Sequence, residues 1–222
     1  MTRGYFVTGT DTGVGKTCVS LGLMQHLQSQ GHVVTAMKPV ASGCRITAAG
    51  LVNDDALKLQ AQASFTVPYR QVNPYAFERP IAPHLAARAQ GVQIELPVIQ
   101  AALDSVAQAA DRAVVEGVGG WLVPVDETRT MADVAQAMAL PVVLVVGVRL
   151  GCLNHALLTA AAIDRTDVVF AGWVANRLDP DCEAADETVA ALRERLTVPC
   201  LGELGYTQDA VLMAEQFSRF HL

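Results

Sequence analysis

Three glycines, three threonines and a lysine crowd into the stretch GTDTGVGKT, residues 9–17, and together they can hold phosphate. Phosphate oxygens are bound mainly by backbone N–H groups of a glycine-rich turn and by the positive end of the helix that follows, with a lysine as point charge. Gly13 and Gly15 permit such a turn, Lys16 carries the charge, and Thr17 offers a hydroxyl to Mg²⁺. The strict spacing G-x-x-x-x-G-K-[ST] would put glycine at position 10; here Thr10 stands there and Gly9 lies one place earlier. The alternative is a strand-to-helix turn that is merely rich in glycine. The apolar Tyr5, Phe6 and Val7 before the loop, and Val19, Leu23 and Leu27 after it, favour the phosphate site, because they give it the required strand and helix.

Five more positions carry charge or hydrogen-bonding groups where a nucleotide would need them. Lys38 opens KPVASG, residues 38–43, and would join Lys16 at one edge in a chain with few lysines. Two such cations neutralise a transferring phosphoryl group and an anionic acceptor. Ser42 adds a hydroxyl donor, or else is a turn serine. Glu116 ends the apolar run VVEGVGG, where a carboxylate is costly to bury without a cation, and with Asp55 it makes the best Mg²⁺ pair. Asp55 can also serve as a helix cap, although Asp54 suits that role better. Asn176, in WVANRLD, offers an amide to a purine edge. Its surroundings, Asn176-Arg177-Leu178-Asp179, approach the N-K-x-D guanine reader of GTPases. Pro180 follows directly, and E-G-V-G stands where such switches place D-x-x-G, so that alternative is weak.

These residues need elements to hold them. Apolar runs and turn signals predict strands at Tyr5–Val7, Val33–Met37, Ala113–Glu116, 141–148, Val168–Ala175 and Cys200–Leu204. Helices are expected from the loop to Gly31, then over 53–63, 95–110, 131–139, 153–164 and 183–196. The three-proline stretch 72–84 reads as irregular until Pro83 starts a helix. Strands alternating with helices predict a doubly wound, mostly parallel α/β sheet with helices on both faces, of the P-loop NTPase type. Ligands in such sheets lie over the carboxyl ends of the strands. The loop 9–17, Lys38, Glu116, Gly147–Gly151 and Asn176 should therefore meet along one edge.

Length and composition fit one domain over residues 1–222: 51% of residues are hydrophobic and 17% charged, as strands buried on both faces require. A net charge of −6 argues against general binding to nucleic acid or anionic membranes. No secretory leader or membrane-spanning run is present, so a cytoplasmic location is expected. Cys18, Cys44, Cys152, Cys182 and Cys200 are scattered and odd in number, and the five histidines lack ligand spacing. Neither a disulfide framework nor a zinc site is expected.

GTDTGVGKT, KPVASG, NDDALKL, VNPYAF followed by APH, VVEGVGGWLVP, LPVVLVVGVRLGCLNH and AGWVAN, in that order from residue 4 to about 204, resemble the dethiobiotin synthetase family of biotin biosynthesis. The resemblance implies that ATP, CO₂ and 7,8-diaminononanoate are converted to dethiobiotin, ADP and phosphate through a carbamate and its phosphoric anhydride. It implies that Gly13, Val14, Gly15, Lys16, Thr17 and Cys18 hold the nucleotide together with Glu116 and Asn176, the last reading adenine. Thr12, Lys16, Lys38 and Ser42 would surround the reacting groups, and Thr17, Asp55 and Glu116 would hold Mg²⁺. A homodimer is implied, with the substrate carboxylate bound near its interface by Leu150, Gly151, Cys152 and Asn154. This chain departs from the family in two places. Gly13 replaces a glutamate found in some relatives, and Gly205 replaces a proline near the base, so base contacts within 203–210 are left open. The rival is a partner-driven ATPase switch of the ParA or MinD type, which needs a further lysine where Thr10 and Asp11 stand.

Overall fold

The computed structural model describes residues 3–207 and 216–217. Its strands are β1 (Arg3–Gly9), β2 (Val34–Met37), β3 (Val40–Ala41), β4 (Arg45–Thr47), β5 (Gly50–Val52), β6 (Tyr75–Ala76), β7 (Arg112–Glu116), β8 (Val142–Val148), β9 (Phe170–Arg177) and β10 (Cys200–Leu204). Its helices are α1 (Lys16–Ser29), α2 (Asp54–Gln62), α3 (Tyr69–Val72), α4 (Pro83–Ala89), α5 (Leu96–Ala107), α6 (Met131–Met138), α7 (Cys152–Ile163) and α8 (Ala185–Arg195). Six strands form one sheet in the order β10-β9-β8-β1-β7-β2, and every pairing in it is parallel. This is the doubly wound α/β architecture that the sequence pattern predicts.

The period-2 geometry of the strands divides the core into two layers. On β8, Val142, Leu144, Val146 and Val148 join one cluster with Phe6, Val115 and Trp173. Val143 and Val145 point the other way, into a cluster with Val7, Val114, Val174 and the α1 residues Val19, Leu23 and Met24. All seven residues of β8 are buried, which explains why the run is apolar without alternation.

Several expectations need correction. Asn53 caps α2, its side chain accepting from Ala56 N–H at 3.1 Å, while Asp54 faces solvent and pairs with Arg45. The 72–84 stretch is not irregular throughout: β6 pairs in parallel with β3, and α3 precedes it. β9 starts two residues later than expected and runs to Arg177, so Asn176 lies inside the strand. Arg177 supports that extension through ion pairs with Glu203 on β10 and with Asp186 on α8.

Candidate active site

β1 lies between β7 and β8, and the loop leaves its carboxyl end, where the chain crosses to α1. Gly13 and Gly15 adopt φ of +75° and +92°, the left-handed region that a side chain would strain. Gly15 has a second constraint: a Cβ there would lie 2.0 Å from Asn176 Nδ2. That amide donates to the Val14 carbonyl at 2.9 Å, so Asn176 braces the loop from β9. Val14 itself is buried in the core and takes part only through its backbone.

Lys16 opens α1 and is only 7% exposed, its ammonium donating to the Asp11 carbonyl at 2.8 Å. Burial, followed by repulsion from Lys38, lowers its pKa to about 8, against the pull of Glu116, Asp11 and Asp55. Thr17, next on the helix, donates its hydroxyl to Glu116 Oε1 at 3.0 Å. Glu116 is the last residue of β7, in register with Val7 of β1, and has no exposed surface. Lys38 follows β2 directly and inserts its ammonium between two carboxylates, bonding Glu116 Oε1 and meeting Asp55 Oδ2 at 3.2 Å. Burial alone would push the Lys38 ammonium down; Glu116 and Asp55 outweigh it and hold its pKa above the ordinary lysine value.

Gly13, Gly15, Lys16, Thr17, Lys38, Ser42, Asp55 and Glu116, singled out by residue type, line one cleft of about 340 Å³ together with Thr12, which the resemblance implied. Asn53, Val118 and Gly119 line it too and were not anticipated. The capping signal of Asn53 was the available hint, since it opens the helix that carries Asp55. A second cavity of about 180 Å³ lies behind the loop, between Cys18, Asn176, Leu178 and the turn Leu204–Thr207. Of the segment 203–210 considered beside a base, residues 208–210 lie outside the described residues. Asp179, the would-be guanine reader, is exposed and accepts from Asp181 N–H at 2.9 Å within its own turn.

Residues 150–154 do not line either space. Leu150 is fully exposed, Gly151 caps α7 at φ +90°, and Asn154 faces solvent. Cys152 departs from the expectation: its side chain is buried in the core and its N–H already bonds the Arg149 carbonyl at 3.0 Å. Leu153 and Asn154 are then the N–H donors of that helix start. Arg149 beside them pairs with Asp11 of the loop at 2.7 Å.

The donor set fits Mg²⁺. Glu116 Oε2 is buried with no partner, while Oε1 of the same carboxylate is already shared by Thr17 and Lys38. No group of three or more His, Cys, Asp or Glu residues that could hold a metal occurs among the described residues. Mg²⁺ needs no such cage, because it takes one or two carboxylates and completes its shell with phosphate oxygens and water. No disulfide joins the five cysteines, and no helix among the described residues is long and apolar enough to cross a membrane.

A parallel sheet wound to both sides of a central strand that ends in a glycine loop, with lysine and threonine at the helix start, defines a P-loop NTPase fold. Solved structures agree on that fold. The septum site-determining protein MinD complexed with Mg-ADP from Pyrococcus horikoshii OT3 superposes with a TM-score of 0.61 at 14% identity, over 99% of this chain and 94% of that one. A ParA family ATPase from Chlorobium tepidum TLS gives 0.53 at 15%, over 98% and 90%. A family model described as an AAA domain matches residues 3–214. Sequence relatives are far closer. The ATP-dependent dethiobiotin synthetase BioD of Xanthomonas oryzae pv. oryzae (strain PXO99A) is 48% identical over 95% of this chain and 94% of its own length. That of Pseudomonas paraeruginosa (strain DSM 24068 / PA7) is 51% identical over 93% and 91%. The chain belongs to the ATP-dependent dethiobiotin synthetase family.

Proposed function

We propose that residues 1–222 act as one synthetase domain that joins 7,8-diaminononanoate and CO₂ at the expense of ATP, giving dethiobiotin, ADP and phosphate. The observation that carries this is the convergence of Lys16, Lys38, Asp55 and Glu116 in one cleft at the loop. A carbamate and a γ-phosphate are both anions, so they approach only where cations stand ready. Little covalent help is needed beyond that placement.

In the proposed sequence one amine of the substrate attacks CO₂ and loses a proton, forming a carbamate. A carbamate oxygen then attacks the γ-phosphorus and ADP leaves. The second amine attacks the carbonyl carbon of the resulting anhydride, and phosphate departs as the ureido ring closes. Lys16 and Lys38 neutralise the two reacting anions, with Thr12 and Ser42 offering hydroxyls beside them. Thr17, Asp55 and Glu116 would hold Mg²⁺, which supplies Lewis-acid charge to the phosphate oxygens. Asn176 and the cavity behind the loop suit adenine. Leu153 and Asn154, at the start of α7, suit the substrate carboxylate across a homodimer interface. The reaction is assigned to the cytoplasm, where ATP is supplied.

The test is mass spectrometry of the product formed from isotopically labelled bicarbonate, ATP and the diamine. Label is expected in a cyclic urea, and phosphate release should require diamine and CO₂ together. Phosphate release at the same rate without any diamine would overturn the assignment in favour of an ATPase switch.

A further inference from the structure

Tyr69 and Asn73 do not line the cleft, yet they connect the two segments that carry its charged groups. The Tyr69 hydroxyl accepts from Asn53 N–H at 2.7 Å and donates to Asn73 Oδ1 at 3.0 Å. The Asn73 amide in turn donates to the Lys38 carbonyl at 2.7 Å and to the Tyr75 carbonyl at 3.2 Å. Lys38 N–H donates to the Val72 carbonyl at 2.8 Å, so the Lys38 backbone is held on both sides by residues 72 and 73. Asn53 stands two residues before Asp55, whose carboxylate meets the Lys38 ammonium at 3.2 Å. The connections therefore close a ring: Lys38 backbone, Asn73, Tyr69, Asn53, Asp55, and back to the Lys38 side chain.

We infer that Tyr69 and Asn73 are positioning residues that set the spacing between Lys38 and Asp55, and through them the geometry offered to Mg²⁺ and the transferring phosphoryl group. The inference rests on the assignment of Lys38 and Asp55 proposed above. Its physical basis is that α2 and the Lys38 turn come from different parts of the chain and share no strand pairing. Something must fix their separation, because a displacement of about 1 Å in a phosphoryl-transfer site is costly in rate. Asn73 is 2% exposed and its amide is committed to two carbonyls, a cost that a plain turn ahead of Pro74 does not require. Tyr69 supplies what phenylalanine cannot: one oxygen that both accepts from α2 and donates to Asn73. Burial raises its phenol pKa, so the donor proton is retained.

The experiment compares Tyr69→Phe and Asn73→Ala with Ile163→Val, a mild core truncation at the C-terminal end of α7. Thermal unfolding, kcat and KM, and calorimetric binding of ADP with Mg²⁺ are measured for each. Tyr69→Phe should raise the Mg²⁺ concentration for half-saturation about five- to tenfold, the scale of one lost hydrogen bond. Its kcat should fall by a similar factor, while KM for ATP changes little. Ile163→Val should lower the unfolding temperature and leave Mg²⁺ dependence and kcat within about twofold of wild type. If Asn73→Ala does not fold, Tyr69→Phe decides alone. Mg²⁺ dependence and kcat unchanged in Tyr69→Phe, whether or not its thermal stability falls, would overturn the inference and leave at most a structural role. Wild-type protein assayed for the labelled cyclic urea separates this failure from failure of the synthetase assignment, and Mg²⁺–ADP calorimetry remains decisive in either case.

Discussion

At the scale of single residues, the role proposed for Lys38 would couple catalysis to folding, because a buried ammonium between two carboxylates holds all three charges in place. Lys38→Ala should lower turnover ~10²-fold or more, the scale for removing one preorganised charge from a transition state. It should also destabilise the Mg²⁺-free protein by about 3–5 kcal/mol, since Glu116 would be left buried without its cation. Added Mg²⁺ should restore part of that loss, seen as a larger rise in unfolding temperature for the variant than for wild type. Activity within about threefold of wild type would contradict the role given to Lys38. Glu116→Gln keeps the size of the side chain and removes its charge, so the Mg²⁺ needed for half-maximal activity should rise about tenfold or more. An unchanged Mg²⁺ titration would mean that Glu116 only packs. Lys16 gives a pH signature. Its pKa of about 8 lies below the ordinary lysine value of 10.5, so between these values the unfolded chain keeps a proton that the folded chain has released. That contribution to stability therefore increases as pH rises through the window. Phosphate binding moves oppositely, because it needs the ammonium. The ratio kcat/KM for ATP, which reports the free enzyme, should fall above about pH 8. A flat profile to pH 9.5 or so would contradict it.

At the scale of elements, the loop depends on β9 as much as on β1. Asn176 reaches across to the Val14 carbonyl, and Gly15 is glycine both for its φ of +92° and for the space that amide occupies. Gly15→Ala should cost about 1–3 kcal/mol of stability through backbone strain, and nucleotide affinity should fall with it, measurable by calorimetry with ADP. Retained affinity would show that the loop relaxes around the methyl group. The same elements show what was legible in the sequence. β8 was plain because PVVLVVGV has no polar residue to hide its burial; Lys16, Lys38 and Glu116 were readable from type and from the strand that each follows or ends, and Asp55 from type alone at a helix start. The β3–β6 pair was not, since two-residue strands after Pro39 and Pro74 have no period to detect. Nor was the ring through Tyr69 and Asn73, whose members lie up to 35 positions apart and meet only by tertiary packing. The Lys38 bridge between Asp55 and Glu116 was equally hidden: residue type predicts a cation near carboxylates, but not which carboxylates it contacts.

At the scale of the whole molecule, the sheet and helices that carry this site also carry MinD and ParA structures, so the fold alone does not distinguish ring closure from a switch. What distinguishes them is the acceptor, and the acceptor needs a place for its apolar chain and carboxylate. Leu122, Leu150 and Leu158 are exposed, and a further cleft of about 390 Å³ opens between Gly120–Pro124 and the α7 residues Leu158, Thr159 and Ala162. Apolar side chains around an open cleft suit an interface with a second copy, which would bring the start of α7 to the partner's substrate. Leu158→Glu places a charge in that cleft, where burial against the partner would be costly. The variant should sediment as a monomer with near-normal thermal unfolding. Its KM for the diamine should rise about tenfold or more, as expected when a carboxylate loses charge-assisted hydrogen bonds, while KM for ATP stays within about twofold, since the loop and its brace lie within one chain. A monomeric variant with unchanged diamine KM would show that the substrate carboxylate is bound within a single chain, and a variant that stays dimeric would place the interface elsewhere.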